Sequence, residues 1–441
     1  MATKSLVVIN VRYLIYLTVT EIIFAIRAVW RRFSGNAAML KRIQDGDLYE
    51  MSAQVYDVTF KAKVGEFSTT SARDFFGLKM RLDHPRCVLQ DNVSLYAVDK
   101  DNATFVVTAP NLDIFHSDHG PFFYLAQYNH AMQYITMPIW AFHRLADEVG
   151  DPEVKVILLS NTGRCGSTLV SQMFERCPGV LSVSEPEGIS ACNNFRLKLP
   201  KDEYELLFRS TFRMICKPLQ QRDVKCLFIK TRCACVVHIP AVASIFPNVI
   251  QLFMYRDYLD TLISWRQTTS ETNVLDKIFR FADVPSPSIM FGDTEGMEWM
   301  KDEAEQHDFL HYGCLHICWL IYCYLEYQRS GIKIAALKYD DFMKCPHEVC
   351  RKLLRHCDIP EKYATDAVKA MQRDSQRGTS FSRQGRNGLK KPAITEELLR
   401  KFDGYCRRVG IPLMSESLPL PATITTHFSE QASGDHESSA D

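Results

Sequence analysis

The sequence has no net charge of either sign. Its 52 lysines and arginines are matched by 52 aspartates and glutamates over 441 residues. A neutral chain is not built as a whole to coat nucleic acid or an acidic membrane, and only a local basic patch stays open. Paired cysteine spacing is missing as well. The 15 cysteines are an odd number, scattered from Cys87 to Cys406, which excludes a compact disulfide scaffold and leaves mostly reduced thiols as the expectation. No internal repeat is visible. What the chain does have is an ordinary globular balance, 46% hydrophobic and 24% charged, so its bulk is expected to fold around a sizeable core in two or three domains.

Long hydrophobic runs are scarce. The one stretch of bilayer length, Leu6 to Ile26, carries Asn10, Arg12 and Glu21. Each charge near the centre of a spanning helix costs about 2.5–3.5 kcal/mol, against the contribution of the aliphatic residues. Asn10, Glu21 and Arg32 are spaced by eleven and so line one side of a helix. Arg27, Arg31 and Arg32 follow the stretch, against Lys4 before it, which leaves the bulk of the chain on the cytoplasmic side. Residues 1–33 are therefore read as an amphipathic helix, packed on the protein or touching a membrane surface through residues 5–32. The alternative is a signal anchor facing the Golgi lumen, favoured by the sequons at Asn92 and Asn102.

Residues 34–150 read as a small β-rich region. Alternation over 85–115 predicts a hairpin about Asp99-Lys100-Asp101-Asn102, and 121–148 reads as helical. Its aromatic residues at 121–142 either line a cleft or fill a core. From 154 the texture changes. Val154–Leu159, Cys226–Lys230, Val249–Tyr255 and Lys333–Leu337 are short apolar runs, separated by helices that include Ser167–Arg176 and a long one near 303–330. That order predicts an α/β domain over 151–412, three αβα layers around a central parallel sheet. Residues 413–441 end in a polar, acidic stretch expected to be disordered.

Ser160-Asn161-Thr162-Gly163-Arg164-Cys165-Gly166-Ser167-Thr168 lies between the first run and a helix start. Unpaired N–H groups, the helix dipole, two hydroxyls and the Arg164 guanidinium suit a phosphate or sulfate. This is not a Walker A loop, because Gly166 rather than lysine precedes Ser167. A second strand exit, Tyr255-Arg256-Asp257, is followed by Ser264 eight residues after Arg256, which brings an arginine and a hydroxyl to one end and side of a helix.

Together the two loops resemble those of the sulfotransferase family, whose donor is 3′-phosphoadenosine-5′-phosphosulfate. Residues 164–168 resemble its 5′-phosphosulfate loop, and Arg256 through Ser264 its 3′-phosphate motif. Leu337-Lys338-Tyr339-Asp340-Asp341-Phe342 resembles its Tyr-Glu-Asp segment. The likeness covers about 154–395, closer to the protein-tyrosine and carbohydrate type than to the cytosolic phenol type. Cys165 stands where serine is usual. It is either an inert small residue or a thiol activated at a helix N-terminus.

Sulfuryl transfer needs a base, cations at the developing charge and an in-line approach. The sulfuryl group carries one negative charge fewer than a phosphoryl group, so no metal is required. By the resemblance, Glu185 in Val183-Ser184-Glu185-Pro186-Glu187 is the base. Glu187 and, more remotely, His238 are its substitutes. The phenol type uses a histidine where this chain has Arg232, and arginine is no base at neutral pH. Lys230 holds the place of a lysine that approaches the donor's bridging oxygen. With Arg164 it stabilises charge on the leaving bisphosphate. The resemblance assigns Arg164, Cys165, Gly166, Ser167, Thr168, Arg256 and Ser264 to the nucleotide. Six basic residues over 373–391 suggest a loop that folds over it, with Lys391 in contact and Ser380 and Arg383 as neighbours. The expected reaction moves a sulfuryl group to a hydroxyl of a carbohydrate, protein or small molecule, with no nucleic-acid partner. Two alternatives are a P-loop-type nucleotide phosphotransferase and a catalytically silent nucleotide-binding relative.

Overall fold

The structure, a computed structural model, describes residues 14–15, 18–26, 29, 37–63, 65–269, 294, 296–306, 309–385, 387, 393–416 and 419–424. Lys391 and the polar stretch from residue 425 onward lie outside them, as do residues 1–13.

Seven strands come first: β1 (Ala53–Asp57), β2 (Phe60–Lys61), β3 (Phe75–Phe76), β4 (Met80–Asp83), β5 (Val93–Val98), β6 (Asn102–Val107) and β7 (Gln133–Pro138). Five of them form an antiparallel sheet in the order β4-β1-β7-β6-β5, and β2 pairs with β3. The expected hairpin is β5–β6. Its turn is held by Asp99, whose carboxylate accepts the N–H groups of Asp101 and Asn102, both at 2.8 Å. The helical reading of 121–148 needs correcting. Helices span Phe123–His130 and Ile139–Val149, but β7 lies between them. Tyr134 to Thr136 pair with β1 on one side and β6 on the other, and this tertiary pairing overrides a run whose aromatic residues suggested a helix.

Five more strands form a second, wholly parallel sheet: β8 (Lys155–Asn161), β9 (Val180–Ser184), β10 (Cys226–Lys230), β11 (Ile250–Tyr255) and β12 (Ile334–Lys338). Their order is β12-β11-β8-β10-β9. Strand periodicity divides each run between two faces. Val156 and Leu158 of β8, Leu227 and Ile229 of β10, and Phe253 and Tyr255 of β11 pack toward one helical layer. Ile157 and Leu159, Cys226 and Phe228, and Leu252 and Met254 pack toward the other. The first layer contains Lys201–Ile215, Phe309–Arg329 and Glu396–Val409; the second contains Ser167–Glu175 and Pro346–His356. The result is an αβα sandwich. Of the long helix expected near 303–330, the described residues form Glu298–Gln306 and Phe309–Arg329.

One hydrophobic cluster crosses between the two sheets. Leu95 and Phe105 of the antiparallel sheet share it with Leu158, Val183 and Phe208. The N-terminal sheet is thereby held against the parallel one, close to the carboxyl ends of its strands. From β8 the chain runs outward to β9 and back to β10, then to β11 on the other side of β8. Ligand clefts in open α/β sheets form at such a reversal, beyond the carboxyl ends of the strands.

Candidate active site

Loop 162–168 leaves the carboxyl end of central β8. Asn161 braces it by donating to the Thr231 carbonyl at 2.8 Å and accepting the Gly163 N–H at 2.9 Å. Thr162 N–H is fixed to the Met254 carbonyl of β11 at 3.0 Å. Gly163, Arg164 and Gly166 all take left-handed backbone, with φ of 72°, 53° and 86°. No side chain caps the helix Ser167–Glu175, whose N-cap is Gly166. A Cβ on Gly166 would fall 2.5 Å from the Tyr339 ring, so only glycine leaves this turn its path. Cys165 is fully buried, and its thiol donates to the Met254 carbonyl at 3.3 Å. Burial pushes this thiol up despite its hydrogen bonds with Thr162, which favours the inert reading.

The second motif meets the first. Arg164 Nε donates to Ser264 Oγ at 3.2 Å, across 100 residues of chain. Arg256 lies 4.8 Å from the Tyr339 ring and donates to Asp260 at 2.8 Å, while its Nε is buried with no partner in the protein. Asp257 N–H donates to Asp340 at 3.1 Å. The three segments singled out in the sequence thus converge on a single cleft of about 370 Å³. Loop 373–385 runs beside it: Gln376 donates to Thr168 Oγ1 at 3.0 Å, and Gln172 donates to the Ser375 carbonyl at 3.0 Å. Arg383 lines the cleft, whereas Ser380 turns to Glu66 at 3.1 Å. Gln376 and Trp265, both on the wall, carried no signal in the sequence.

At the other end of the cleft Glu185 follows β9 with a φ of 56°. Left-handed backbone in a non-glycine residue costs about 1–3 kcal/mol, and such strain gathers at functional sites. Lys230 of β10 holds both ends of the residue: its carbonyl accepts the Glu185 N–H at 2.6 Å, and its ammonium is paired with the carboxylate. Arg232 lies 3.6 Å from the same carboxylate. Lys230 is buried under the Phe122 ring, 5.1 Å from its centroid.

The two substitutes for Glu185 are engaged elsewhere. Glu187 is buried, paired with Arg232 and bonded to Ser190 at 3.2 Å. His238 is buried too, with Tyr204 at 2.7 Å and the Ile189 carbonyl at 3.2 Å, and burial lowers it to about 3. The Arg232 guanidinium is charged: burial opposes this, but the Glu187 and Glu185 carboxylates outweigh it and hold the group above its usual range.

Phe67, Phe122, Tyr124 and Phe381 wall this end. Phe67 and Phe381 stack face to face at 3.9 Å, and the Arg164 guanidinium lies 4.9 Å from the Phe381 ring. Of these rings only Phe122 and Tyr124 fell within the aromatic stretch noted in the sequence. Among the described residues no three His, Cys, Asp or Glu side chains group as metal ligands.

No family model matches the chain, and no curated protein matches it. Solved structures are similar, two sulfotransferases among them. One is a sulfotransferase from Alicyclobacillus acidocaldarius, 10% identical with a TM-score of 0.29, over 60% of this chain and 99% of that one. The other is the sulfotransferase STF9 from Mycobacterium avium, 14% identical with a TM-score of 0.34, over 63% and 82%.

Proposed function

We propose that the protein transfers a sulfuryl group from 3′-phosphoadenosine-5′-phosphosulfate to an acceptor hydroxyl. The observation that carries this reading is the Arg164–Ser264 hydrogen bond at 3.2 Å, because it joins the two anion-binding motifs in one cleft. The residues fit such a donor. Gly166 keeps the cradle open for an anion, and the unpartnered Arg256 Nε offers a buried donor to a second one. Residues 165–168 would hold the 5′ end, with Arg256 and Ser264 at the 3′-phosphate. The donor supplies the activated sulfuryl group.

Glu185 takes the proton of the acceptor hydroxyl. Its carboxylate is held by Lys230 and Arg232, so Lys230 must exchange that contact for the donor's bridging oxygen before Glu185 can act. Arg232 stays beside Glu185, and Lys230 joins Arg164 in stabilising charge on the leaving bisphosphate. A sulfuryl group carries less charge than a phosphoryl group, so this arrangement requires no metal.

The N-terminal segment supports contact with a membrane surface from the cytoplasmic side. Ile15, Val19, Ile22, Ile26 and Val29 follow a four-three spacing and are 56%, 40%, 54%, 53% and 51% exposed, an apolar stripe suited to lying in an interface. Among the described residues no helix is long and apolar enough to cross a membrane. The sequon asparagine Asn92 already donates its amide to the Thr108 carbonyl at 2.7 Å, which weighs against its glycosylation.

Thermal-shift titration tests the central reading. Adenosine 3′,5′-bisphosphate at about 100 times its Kd adds roughly 2.7 kcal/mol of apparent stability, a rise of about 2–4 °C in Tm. A rise with the bisphosphate and none with ATP and Mg²⁺ is expected. The reverse would move the reading to a phosphotransferase.

A further inference from the structure

Two polar groups at the Glu185 end of the cleft lack a partner in the protein. The Tyr124 hydroxyl and Arg232 Nη2 are both buried and make no hydrogen bond, and both side chains line the same cleft as Glu185. The large majority of buried polar atoms in folded proteins are paired, so each orphan needs an explanation. These two belong to touching side chains, since the guanidinium lies 4.7 Å from the Tyr124 ring centroid. The rest of Arg232 is committed: Nε meets Glu187, and Nη1 donates to the Phe67 carbonyl at 3.0 Å.

Their chemistry narrows what would satisfy them. Arginine has donors and no acceptor, and a protonated phenol gives one more donor. Burial raises Tyr124 well above the ordinary phenol range, which keeps that proton in place. The missing partner is therefore an oxygen acceptor, and a charged one matches the guanidinium best. The local balance agrees. Lys230 and Arg232 match Glu185 and Glu187 in number, and both carboxylates are already paired with them, so the acceptor is not supplied by this end itself. Phe67, Phe122 and Phe381 line the cleft with aromatic carbon rather than further polar groups, a surface suited to the apolar part of a ring.

We infer that the acceptor is a ring compound with a carboxylate beside the hydroxyl that receives the sulfuryl group, the carboxylate being held by Arg232 Nη2 and the Tyr124 hydroxyl. The inference rests on the sulfuryl-transfer reading and deepens it. Sugar acids and aromatic acids share this chemistry.

Calorimetric titration of the full chain, saturated with adenosine 3′,5′-bisphosphate, tests it with two matched pairs of probes. Methyl glucuronoside is compared with methyl glucoside, and ortho-hydroxyphenylacetate with 2-(2-hydroxyphenyl)ethanol. At least one acid is expected to bind about tenfold to a hundredfold tighter than its neutral partner, and the responding pair identifies the ring. Tyr124→Phe and Arg232→Gln should each erode that preference. Tyr124→Phe removes only an unpaired hydroxyl, so its Tm should stay level or rise. Should Arg232→Gln fail to fold once Glu187 loses its partner, Tyr124→Phe carries the test alone.

Equal affinity for acid and neutral partner in both pairs overturns the inference. So does a failure of both acids to bind, a preference that survives substitution, or a fall in the Tm of Tyr124→Phe. If the bisphosphate itself does not bind, the underlying reading fails with it. If the bisphosphate binds and no acid is preferred, only this inference falls.

Discussion

The two ends of the cleft are built in different ways. The end proposed for the donor is mostly backbone: a strand exit, two left-handed glycines, an uncapped helix start, and one arginine–serine contact to a second strand exit. The end proposed for the acceptor is mostly side chains from four separate stretches, with Phe67, Phe122 and Tyr124, Arg232, and Phe381 meeting only in space. A backbone cradle has to be contiguous, so it constrains consecutive residues. A wall of side chains asks only that each contributor arrive, whatever its neighbours are.

The largest expected effect separates the two carboxylates at the acceptor end. Glu185→Gln should lower acceptor-dependent release of the bisphosphate by about 10²–10⁴-fold, with bisphosphate affinity nearly unchanged. Glu187→Gln should act on the fold instead, because it leaves the Arg232 charge without its closest partner. Breaking a buried pair of this kind costs about 3–5 kcal/mol. A denaturant titration beside the transfer assay would expose a reversed pattern, which would make Glu187 the base.

The donor end should answer to backbone. Gly166→Ala adds a methyl 2.5 Å from the Tyr339 ring at a φ of 86°, and relieving that contact moves the cradle. A strain of about 1–3 kcal/mol corresponds to roughly tenfold to hundredfold weaker bisphosphate binding. An alanine chain that bound the bisphosphate as tightly as the original would deny this loop its role.

How much could be read in the sequence follows the same division. The strands of the parallel sheet stand out as short apolar runs, and they agree with β8, β10, β11 and β12 to within a residue or two at each end. Loop 162–168 is visible because Gly163, Arg164 and Gly166 must fall within four residues of one another. Phe67 is not visible: a lone aromatic in a polar loop carries no period, and its importance comes from Phe381, 314 positions later. The strand β7 was hidden by its own composition, since Tyr134 and Met137 fit a helix as well as a sheet until β1 and β6 pair with them. Arg232 was seen as the loss of a histidine. Its part in holding Glu187 and the Phe67 carbonyl needed the tertiary structure.

A titrating group behind the acceptor end separates scaffold from site. His238 has an ordinary value of 6.5 and is lowered to about 3, mainly by burial. Between those values the unfolded chain binds a proton that the folded chain refuses. Stability therefore falls as pH drops below 6.5, by up to about 1.4 kcal/mol per unit from this residue alone. His238→Gln should remove that component, so the stability difference between variant and original should narrow or invert from pH 6.5 to 4. Denaturation midpoints at several pH values measure it. Bisphosphate affinity should not follow, because His238 touches Tyr204 and the Ile189 carbonyl rather than the cleft. If it did follow, the boundary drawn here between scaffold and site would be wrong.

The smallest effect concerns a pair of contacts that run between the two ends. Phe67 stacks on Phe381 at 3.9 Å, and Phe381 in turn lies under Arg164 at 4.9 Å. An aromatic pair contributes about 0.5–1.5 kcal/mol beyond its buried area, and a guanidinium over a ring about as much at a partly exposed site. A double-mutant cycle with Phe67→Leu and Phe381→Leu, read as bisphosphate affinity, isolates the stack from either side chain's own burial. Coupling of a few-fold would mean that the N-terminal loop steadies the donor arginine from across the cleft. The loop between β2 and β3 would then act on the end proposed for the donor. Additive effects would mean that Phe67 has no part in placing Arg164.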